Sequence, residues 1–181
     1  MTVTDHGTCY VDLWGPLTRS RSGNKYCMTV VDGFSKWAMA VALPSKKQEI
    51  VSEALVSRVF IMGWPDRLLT DRGKEFTNRV LNQCLKLCGS RHVTTTAYHP
   101  QGNAYAERIH RFFRHAVTAY VRDDQRNWDE LLPGLLTAYN DATHEATGYT
   151  PSEILFGRRL NAPGIVPPKP KGDYSRDMLK G

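Results

Sequence analysis

The sequence predicts an α/β fold built on a sheet that is part antiparallel and part parallel. Three β-rich stretches follow one another near the amino terminus, and helices alternate with short strands after them. Successive strands are typical of an antiparallel meander, whereas a strand–helix–strand order is typical of parallel pairing. We therefore predict a five-stranded mixed sheet with helices packed against it.

Runs of apolar and β-branched residues bounded by turn residues are the predicted strands. They cover residues 8–14, 26–31, 36–43, 67–70 and 92–96. Apolar residues at helical spacing predict helices over 46–62, 74–88, 104–122, 127–145 and 151–156, the last of which ends at Gly157. The expected buried face of the helix over 74–88 consists of Phe76, Val80, Leu81, Cys84 and Leu87.

The composition is that of one globular domain with an excess of positive charge. A chain of 181 residues with 41% hydrophobic content has enough material for one core. We divide it into an N-terminal extension over 1–7, a core domain over 8–162 and a flexible basic tail over 163–181. The four cysteines indicate reduced thiols. No apolar run reaches the roughly 20 residues of a membrane span, so we expect no membrane partner.

The positive charge is concentrated in two regions. Residues 17–47 hold six lysines and arginines against a single acid, Asp32, and the tail is basic as well. With a net charge of +6, this distribution favours a polyanionic partner such as a nucleic acid.

Two aspartates occupy positions where a carboxylate needs an explanation. Asp12 lies in the middle of an apolar strand, where an unpaired charge costs several kcal/mol. Asp71 directly follows a strand, at the end where open α/β sheets place ligands. The alternatives are a structural hydrogen bond for Asp12 and a simple turn acid for Asp71.

A third carboxylate, Glu107, lies on the polar side of a predicted helix. The opposite side of that helix is apolar and consists of Ile109, Phe112, Phe113, Ala116 and Tyr120. Arg111 and Arg114 follow Glu107 at helical spacing, with His110 close by. A solvated helix face would show the same pattern.

Three convergent carboxylates beside basic side chains suit a metal site for phosphoryl transfer. Mg²⁺ prefers hard oxygen ligands, and two ions can assist in-line displacement at phosphorus. Arg111 and Arg114 would attract the phosphodiester. The side chains that we expect to contact DNA are Lys74, His99, Gln101, Asn103, Arg108, Arg111 and Arg114.

The three acids resemble the D,D-35-E signature of retroviral and LTR-retrotransposon integrases, because 35 residues lie between Asp71 and Glu107. Other stretches are similar to the gypsy-type branch of that family. They are Asp12 to Pro16, Val31 to Trp37, Thr70 to Phe76, Tyr98 to Gln101, Trp128-Asp129 with Leu132-Pro133, Tyr139-Asn140, and Thr147 to Gly157. The resemblance covers residues 8–162 in order.

The resemblance implies an RNase H-like fold with strands in the order 3-2-1-4-5. It implies that Asp12 bridges two Mg²⁺ ions, for which Mn²⁺ can substitute, and that Asp71 and Glu107 each hold one. The implied reactions are hydrolytic trimming of the DNA 3′ ends of an element and transfer of those ends into target DNA. The stretch Gly102 to Ala106 departs from the Gly-Gln-type sequence usual in the family, which leaves the three acids intact.

The resemblance also implies a homodimer or higher assembly that acts in the nucleus of a host cell after a stage in a virus-like particle, with a host chromatin protein as a tether. We expect self-association through two helices with ample apolar residues. They are the helix over 127–145, with Trp128, Leu131, Leu132, Leu135, Leu136 and Tyr139, and the helix over 46–62, with Val51, Leu55, Val59 and Phe60. We expect residues 97–103 to form a mobile loop that orders over DNA.

Four other interpretations remain open. The chain could be a domesticated integrase core that binds DNA or protein, another RNase H-like nuclease or transposase, or an assembly domain. A zinc site at Cys84, Cys88 and His92 is a weaker competitor, since the sequence offers no fourth ligand.

Overall fold

The computed structural model describes residues 7–94, 108–113, 115 and 124–160. In this part of the chain five strands form one sheet in the order β3-β2-β1-β4-β5. The strands are β1 (Thr8–Trp14), β2 (Tyr26–Asp32), β3 (Ala38–Leu43), β4 (Arg67–Thr70) and β5 (Arg91–Thr94). The predicted five-stranded sheet and its order are confirmed.

Strand β1 lies at the centre of the sheet and fixes the direction of its neighbours. It pairs antiparallel with β2, where Asp12 lies opposite Thr29, and parallel with β4, where Tyr10 lies opposite Leu69. β2 pairs antiparallel with β3, and β4 pairs parallel with β5. The carboxyl ends of β1, β3, β4 and β5 therefore lie at the same edge of the sheet.

The described helices occupy the connections. They are α1 (Gln48–Ala54), continued by a π-helical turn (Leu55–Val59) and a 3-10 turn (Phe60–Met62), a 3-10 turn at Lys74–Phe76, α2 (Arg79–Leu87), α3 (108–113), α4 (Trp128–Asn140) and α5 (Pro151–Phe156). α5 begins with a capping box between Thr150 and Glu153 and ends at Gly157, whose φ of 68° suits glycine. No helix in the described ranges is long and apolar enough to cross a membrane.

Each face of the sheet buries its own apolar cluster. On one face, residues of the central strands pack against the helical stretch that begins with α1 and against α2; the buried members include Val11, Val30, Leu68, Val51, Leu55 and Leu81. On the other face, α3 and α4 supply Ile109, Phe113, Trp128, Leu132 and Leu135 to a cluster with Cys27 and Val31. The predicted apolar face of the helix after residue 107 is confirmed at its two buried residues, Ile109 and Phe113.

The helix predicted over 74–88 is wrong in its extent and in its buried face. A 3-10 turn ends at Phe76, and a new helix begins at Arg79 because the Asn78 side chain accepts a hydrogen bond from the backbone N–H of Val80 at 2.7 Å. This restart changes the direction of the following side chains. Val80 and Leu87 are 60% and 86% exposed, and the buried residues of α2 are Leu81 and Leu85.

Most of the apolar residues expected to serve self-association are buried within the chain. Val51, Leu55, Val59 and Phe60 all lie in the cluster beneath α1. In α4, the buried residues are Trp128, Leu132 and Leu135, and Leu131, Leu136 and Tyr139 are partly buried against the same cluster. The helix over 46–62 therefore offers no apolar surface from these residues, and α4 offers only its partly covered ones.

The connection between β1 and β2 is tied to the start of α4. The Asp129 carboxylate accepts hydrogen bonds from Ser20 Oγ at 2.7 Å and from Asn24 Nδ2 at 2.8 Å, and Trp128 Nε1 donates to Thr18 O at 2.8 Å. Burial raises the pKa of Asp129, but the hydrogen bonds from Ser20 and Asn24 outweigh burial and hold the pKa below its ordinary value. This clamp anchors the segment that leaves the carboxyl end of β1.

We expect Asp129→Ala to lower the free energy of unfolding at pH 7 by about 1–3 kcal/mol, since charge-assisted hydrogen bonds are lost. Because the pKa is depressed in the folded state, this stabilisation is present above the unfolded pKa of about 3.9 and is lost as the pH falls through the folded pKa. Urea denaturation of both proteins at pH 7 and below pH 4 measures the difference. Glu130→Ala, at the exposed next position, is the control; a difference that does not shrink in acid would contradict the assignment.

Candidate active site

The parallel ladder between β1 and β4 brings two of the predicted acids to the same level of the sheet. Thr8 lies opposite Arg67 and Tyr10 opposite Leu69. Continued by two residues, this register places Asp12 beside Asp71, the first residue after β4. Neighbouring strands are about 4.8 Å apart. Two acids from distant parts of the sequence therefore lie on neighbouring strands at the same level, Asp12 two residues before the end of β1 and Asp71 directly after β4.

Asp12 is held from the sheet and from α3. Its Oδ1 accepts the backbone N–H of Leu13 at 2.7 Å, and its Oδ2 lies 3.3 Å from His110 Nδ1. The other ring nitrogen of His110 lies 2.7 Å from Thr29 Oγ1. A neutral ring that donates from Nδ1 to an ionised Asp12 accepts the Thr29 hydroxyl at Nε2. His110 thus spans the gap between α3 and the two central strands.

The environment of Asp12 meets the need that its position in an apolar strand creates. The carboxylate has hydrogen-bond partners on both oxygens, and 34% of its side chain is exposed. From the sequence alone, His110 is identified only as a base close to Glu107. Its spacing of three residues from Glu107 was the available signal, whereas nothing in the sequence paired it with Thr29 before the register of β1 and β2 was known.

Asp71 is exposed and forms a tight turn with the two residues that follow it. Its Oδ1 accepts the backbone N–H of Gly73 at 2.9 Å. A Cβ atom on Gly73 would come within 2.8 Å of Asp71 Oδ1 and within 2.6 Å of the Glu75 carboxyl carbon. Gly73 has an ordinary φ of −59°, so a larger residue here is opposed by the two carboxylates and not by the backbone conformation. Asp71 is therefore a turn acid, as the alternative interpretation stated, and its hydrogen bond with Gly73 holds the carboxylate in place.

A second histidine supports the strand that precedes Asp71. His92 on β5 lies 2.9 Å from Thr70 Oγ1 and 3.0 Å from Asn82 Oδ1 through its two ring nitrogens. Thr70 Oγ1 in turn donates to Asp71 O at 2.8 Å. Burial lowers the pKa of His92. Both nitrogens are thus engaged in positioning the end of β4, which leaves His92 no free nitrogen for the zinc site considered above.

Three of the basic side chains expected to contact DNA lie in the described part of the chain, and they differ in their surroundings. Lys74 and Arg111 are exposed. Arg108 is also exposed, but its Nη1 lies 3.4 Å from His144 Nε2. Burial lowers the pKa of His144, and the charges of Arg108 and Lys36 lower it further. Arg108 therefore contacts a side chain of the protein itself, whereas Lys74 and Arg111 are exposed.

Five of the predicted site residues fall outside the described part of the chain: Glu107, His99, Gln101, Asn103 and Arg114. The mobile loop expected over 97–103 lies there as well. Among the described residues, no three histidine, cysteine or carboxylate side chains come together in a group that could hold a metal ion. The described part of the site consists of two acids, and the third predicted acid lies beyond it.

The mixed sheet in the order 3-2-1-4-5, with helices on both faces, is an RNase H-like fold. Residues 4–100 match the family described as integrase core domain. The chain belongs to this integrase core family.

Solved structures with the same fold include viral integrases. The crystal structure of the BIV integrase catalytic core domain superposes with a TM-score of 0.66 at 22% identity, over 83% of this chain and 94% of that one. A simian T-cell lymphotropic virus intasome in complex with the PP2A regulatory subunit B56 gamma gives a TM-score of 0.70 at 18% identity, over 94% of this chain and 61% of that one. At these identities the similarity shows the fold.

Relatives by sequence come from retroelements and from animal proteins. The chain is 29% identical over 154 residues to the Pol polyprotein of transposon 412 of Drosophila melanogaster, covering 84% of this chain and 12% of that protein. It is 35% identical over 138 residues to the Pol polyprotein of Radiation murine leukemia virus, covering 75% and 23%. It is 27% identical over 148 residues to Gypsy retrotransposon integrase-like protein 1 of Mus musculus, covering 82% and 28%. The chain spans less than a third of the length of each.

We expect Gly73→Ala to destabilise the protein by about 1 kcal/mol, because the new methyl group displaces the Asp71 carboxylate and breaks one hydrogen bond. Gly134→Ala is the matched control: Gly134 lies inside α4 with nothing within 4 Å of its Cβ position. There alanine should stabilise by up to about 1 kcal/mol through its helix propensity. Chemical denaturation measures the change in the free energy of unfolding for each variant. Equal stabilisation by both substitutions would show that the turn at Asp71 accommodates a methyl group.

Proposed function

We propose that this chain is the catalytic core of an integrase that cuts and joins DNA in a metal-dependent reaction. The observation that supports the proposal is the register of β1 and β4, which, continued by two residues, sets Asp12 level with Asp71 near the carboxyl edge of the sheet. Ligands of open α/β sheets bind at that edge. Membership of the integrase core family supports a polynucleotidyl transfer reaction as its chemistry.

The donor set fits a hard divalent cation. Asp12 and Asp71 offer carboxylate oxygens at a partly exposed position, and Glu107 is proposed as the third ligand. Magnesium accepts such oxygens and keeps positions for water and phosphate, and manganese would replace it. When bound, two such ions would supply activation of the attacking oxygen and stabilisation of the leaving oxygen.

The protein's own residues orient these ligands. His110 and the N–H of Leu13 fix the two oxygens of Asp12, and the turn through Gly73 fixes one oxygen of Asp71. Hydrogen bonds from partners of this kind hold a ligand in one rotamer and retain its charge. Arg111, exposed on α3 one residue after His110, would meet the phosphate backbone of DNA.

The proposed substrates are the DNA ends of a retroelement and a target duplex. One hydrolytic step would trim the 3′ ends. In a second step, a transesterification, each new 3′ hydroxyl would attack a phosphodiester of the target and displace the target's own 3′ oxygen. We place this reaction in the nucleus, with a chromatin protein as a further proposed partner. The relatives named for transposon 412 and for gypsy-type retrotransposons favour this origin over a nuclease or transposase of another kind.

We expect Asp12→Asn, Asp71→Asn and Glu107→Gln each to reduce DNA cutting and joining by more than the roughly 10–100-fold that loss of an outer partner of a metal ligand costs. Each variant should unfold as cooperatively as the parent protein. A nicking and joining assay on labelled DNA ends, with Mg²⁺ or Mn²⁺, measures activity, and circular dichroism on heating measures the fold.

Asp66→Asn is the matched control for this series. Asp66 is an exposed acid just before β4, at the opposite edge of the sheet from Asp71. Its loss should leave activity near that of the parent. Full activity in any of the three site variants would remove that residue from the proposed catalytic set.

We also propose that the chain self-associates, since joining two DNA ends to one target needs more than one active site. A groove beside the edge strand β3 supports this, with Met39 and Ala42 of the strand, Leu136 and Pro133 of α4, and Arg58 at its margin. Partly covered apolar groups next to an unpaired strand edge favour pairing with a second copy.

Sedimentation at tens of micromolar protein should therefore show a dimer, because the groove gains apolar contact in the pair. Leu136→Glu should shift the protein towards monomer, since a charge would enter the interface. Val80→Glu, at an exposed apolar position on α2, is the control and should leave the dimer intact. A parent protein that sediments only as monomer would overturn the proposal.

A further inference from the structure

A basic cluster beside the candidate site joins one expected DNA contact, Lys74, to two lysines that the proposed reaction does not use. It consists of Lys46 and Lys47, which precede α1, and Lys74, which follows Asp71 by three residues. Lys46 and Lys47 end the basic stretch over 17–47. All three side chains are exposed, and an open cleft joins the two segments, lined as well by Gln48, Glu49 and Glu75.

The sheet topology explains why residues so far apart in sequence share one cleft. β3 runs parallel to β1, because each is antiparallel to β2, and β4 runs parallel to β1 as well. The segments after Leu43 and after Thr70 therefore leave the sheet at the same edge. α1 then packs against the 3-10 turn that carries Lys74, which brings the lysines of both segments together.

The cleft lies close to Asp71, one of the proposed catalytic acids. Glu75 lines it, and Glu75 Oε1 and Asp71 Oδ1 each lie 2.8 Å from the same point, the Cβ position of Gly73. The Glu75 carboxylate is thus directed towards Asp71. A polymer in contact with the lysines would therefore pass close to Asp71.

The lysines carry positive charge that the described chain does not neutralise. Among the described residues, no carboxylate forms an ion pair with Lys46, Lys47 or Lys74, although Glu49 and Glu75 line the same cleft. Flexible, exposed ammonium groups that are spread along an open cleft suit a regularly charged polyanion, whose neutralisation releases counterions. A compact anion would touch only part of such a row.

We infer that Lys46, Lys47 and Lys74 form a contact surface for the phosphate backbone of double-stranded DNA, on the α1 side of the two aspartates. The inference rests on the proposed function for its identification of DNA and adds a surface on the side of the sheet opposite to α3. The substrate duplex then meets basic residues on both sides of the acids, Arg111 on one and the lysines on the other.

The experiment measures binding of the full 181-residue chain to a short fluorescent DNA duplex in EDTA, so that no metal ion bridges protein and DNA. Fluorescence anisotropy at several salt concentrations gives the dependence of log K on log salt. Lys46→Ala/Lys47→Ala should weaken binding and reduce the slope by roughly 0.9 per lost phosphate contact. Lys74→Ala should reduce the slope by the amount expected for one phosphate contact. Lys46→Arg/Lys47→Arg should bind DNA as the parent protein does.

Lys86→Ala/Arg91→Ala is the matched control for charge. It removes two exposed positive charges at the opposite edge of the sheet, where α2 ends and β5 begins, and should change affinity and slope far less. An equal loss in both double variants would show an effect of net charge alone and overturn the inference. If poly-glutamate at the same concentration of charge displaced the fluorescent duplex as well as unlabelled DNA does, the identification of DNA as the ligand would be overturned.

The failure of this inference is distinguishable from failure of the proposed function. A parent protein that cuts DNA with Mg²⁺ while Lys46→Ala/Lys47→Ala binds with unchanged affinity and slope would remove the lysine surface and retain the catalytic proposal. A parent protein that never cuts DNA, but whose DNA binding still depends on the lysines, would remove the catalytic proposal and retain the lysine surface.

Discussion

The pairing of β1 with β4 is the constraint on which the rest of the site depends. A parallel ladder fixes which residues lie side by side, and a shift by one residue would turn every following side chain to the opposite face. Here the register, continued by two residues beyond Tyr10 and Leu69, sets Asp12 level with Asp71. The ladder itself is short, so its position is secured by the apolar residues on both strands: Val11 and Leu68 are almost fully buried in one cluster. Packing beneath the sheet thereby determines the geometry of the acids at its edge.

The second determinant is the attachment of the helices to this edge. α3 is held against the sheet by Ile109 and Phe113, which are fully buried, and the same turn of helix directs His110 to Asp12 and Thr29. α4 is held by Asn140, whose side-chain amide both accepts from Ala38 N and donates to Ala38 O at 2.8 Å. Hydrophobic burial sets the position of each helix, and a few polar contacts set its rotation.

Local sequence patterns predicted much of the architecture because each of them has a local physical cause. The strands over 8–14 and 67–70 agree with the structure, since short apolar runs bounded by turn residues have few other stable conformations. The helix over 151–156 agrees as well, because Thr150, Glu153 and Gly157 contain its start and stop signals. The prediction of one helix over 74–88 was wrong for a related reason. Asn78 caps a new helix that begins at Arg79, so helical spacing counted from Phe76 does not identify the buried side of α2.

The sequence by itself determined the order of strands and helices, the positions of Asp12 within a strand and of Asp71 directly after one, and the similarity to integrases from residue 8 onward. These properties follow from neighbouring residues or from an ordered set of motifs. Only the tertiary structure decided that His110 contacts Asp12, that His92 supports Thr70, and that lysines after β3 share a cleft with Lys74. Each of these contacts joins segments far apart in the chain, and their distance depends on strand register and helix packing, which no local pattern specifies.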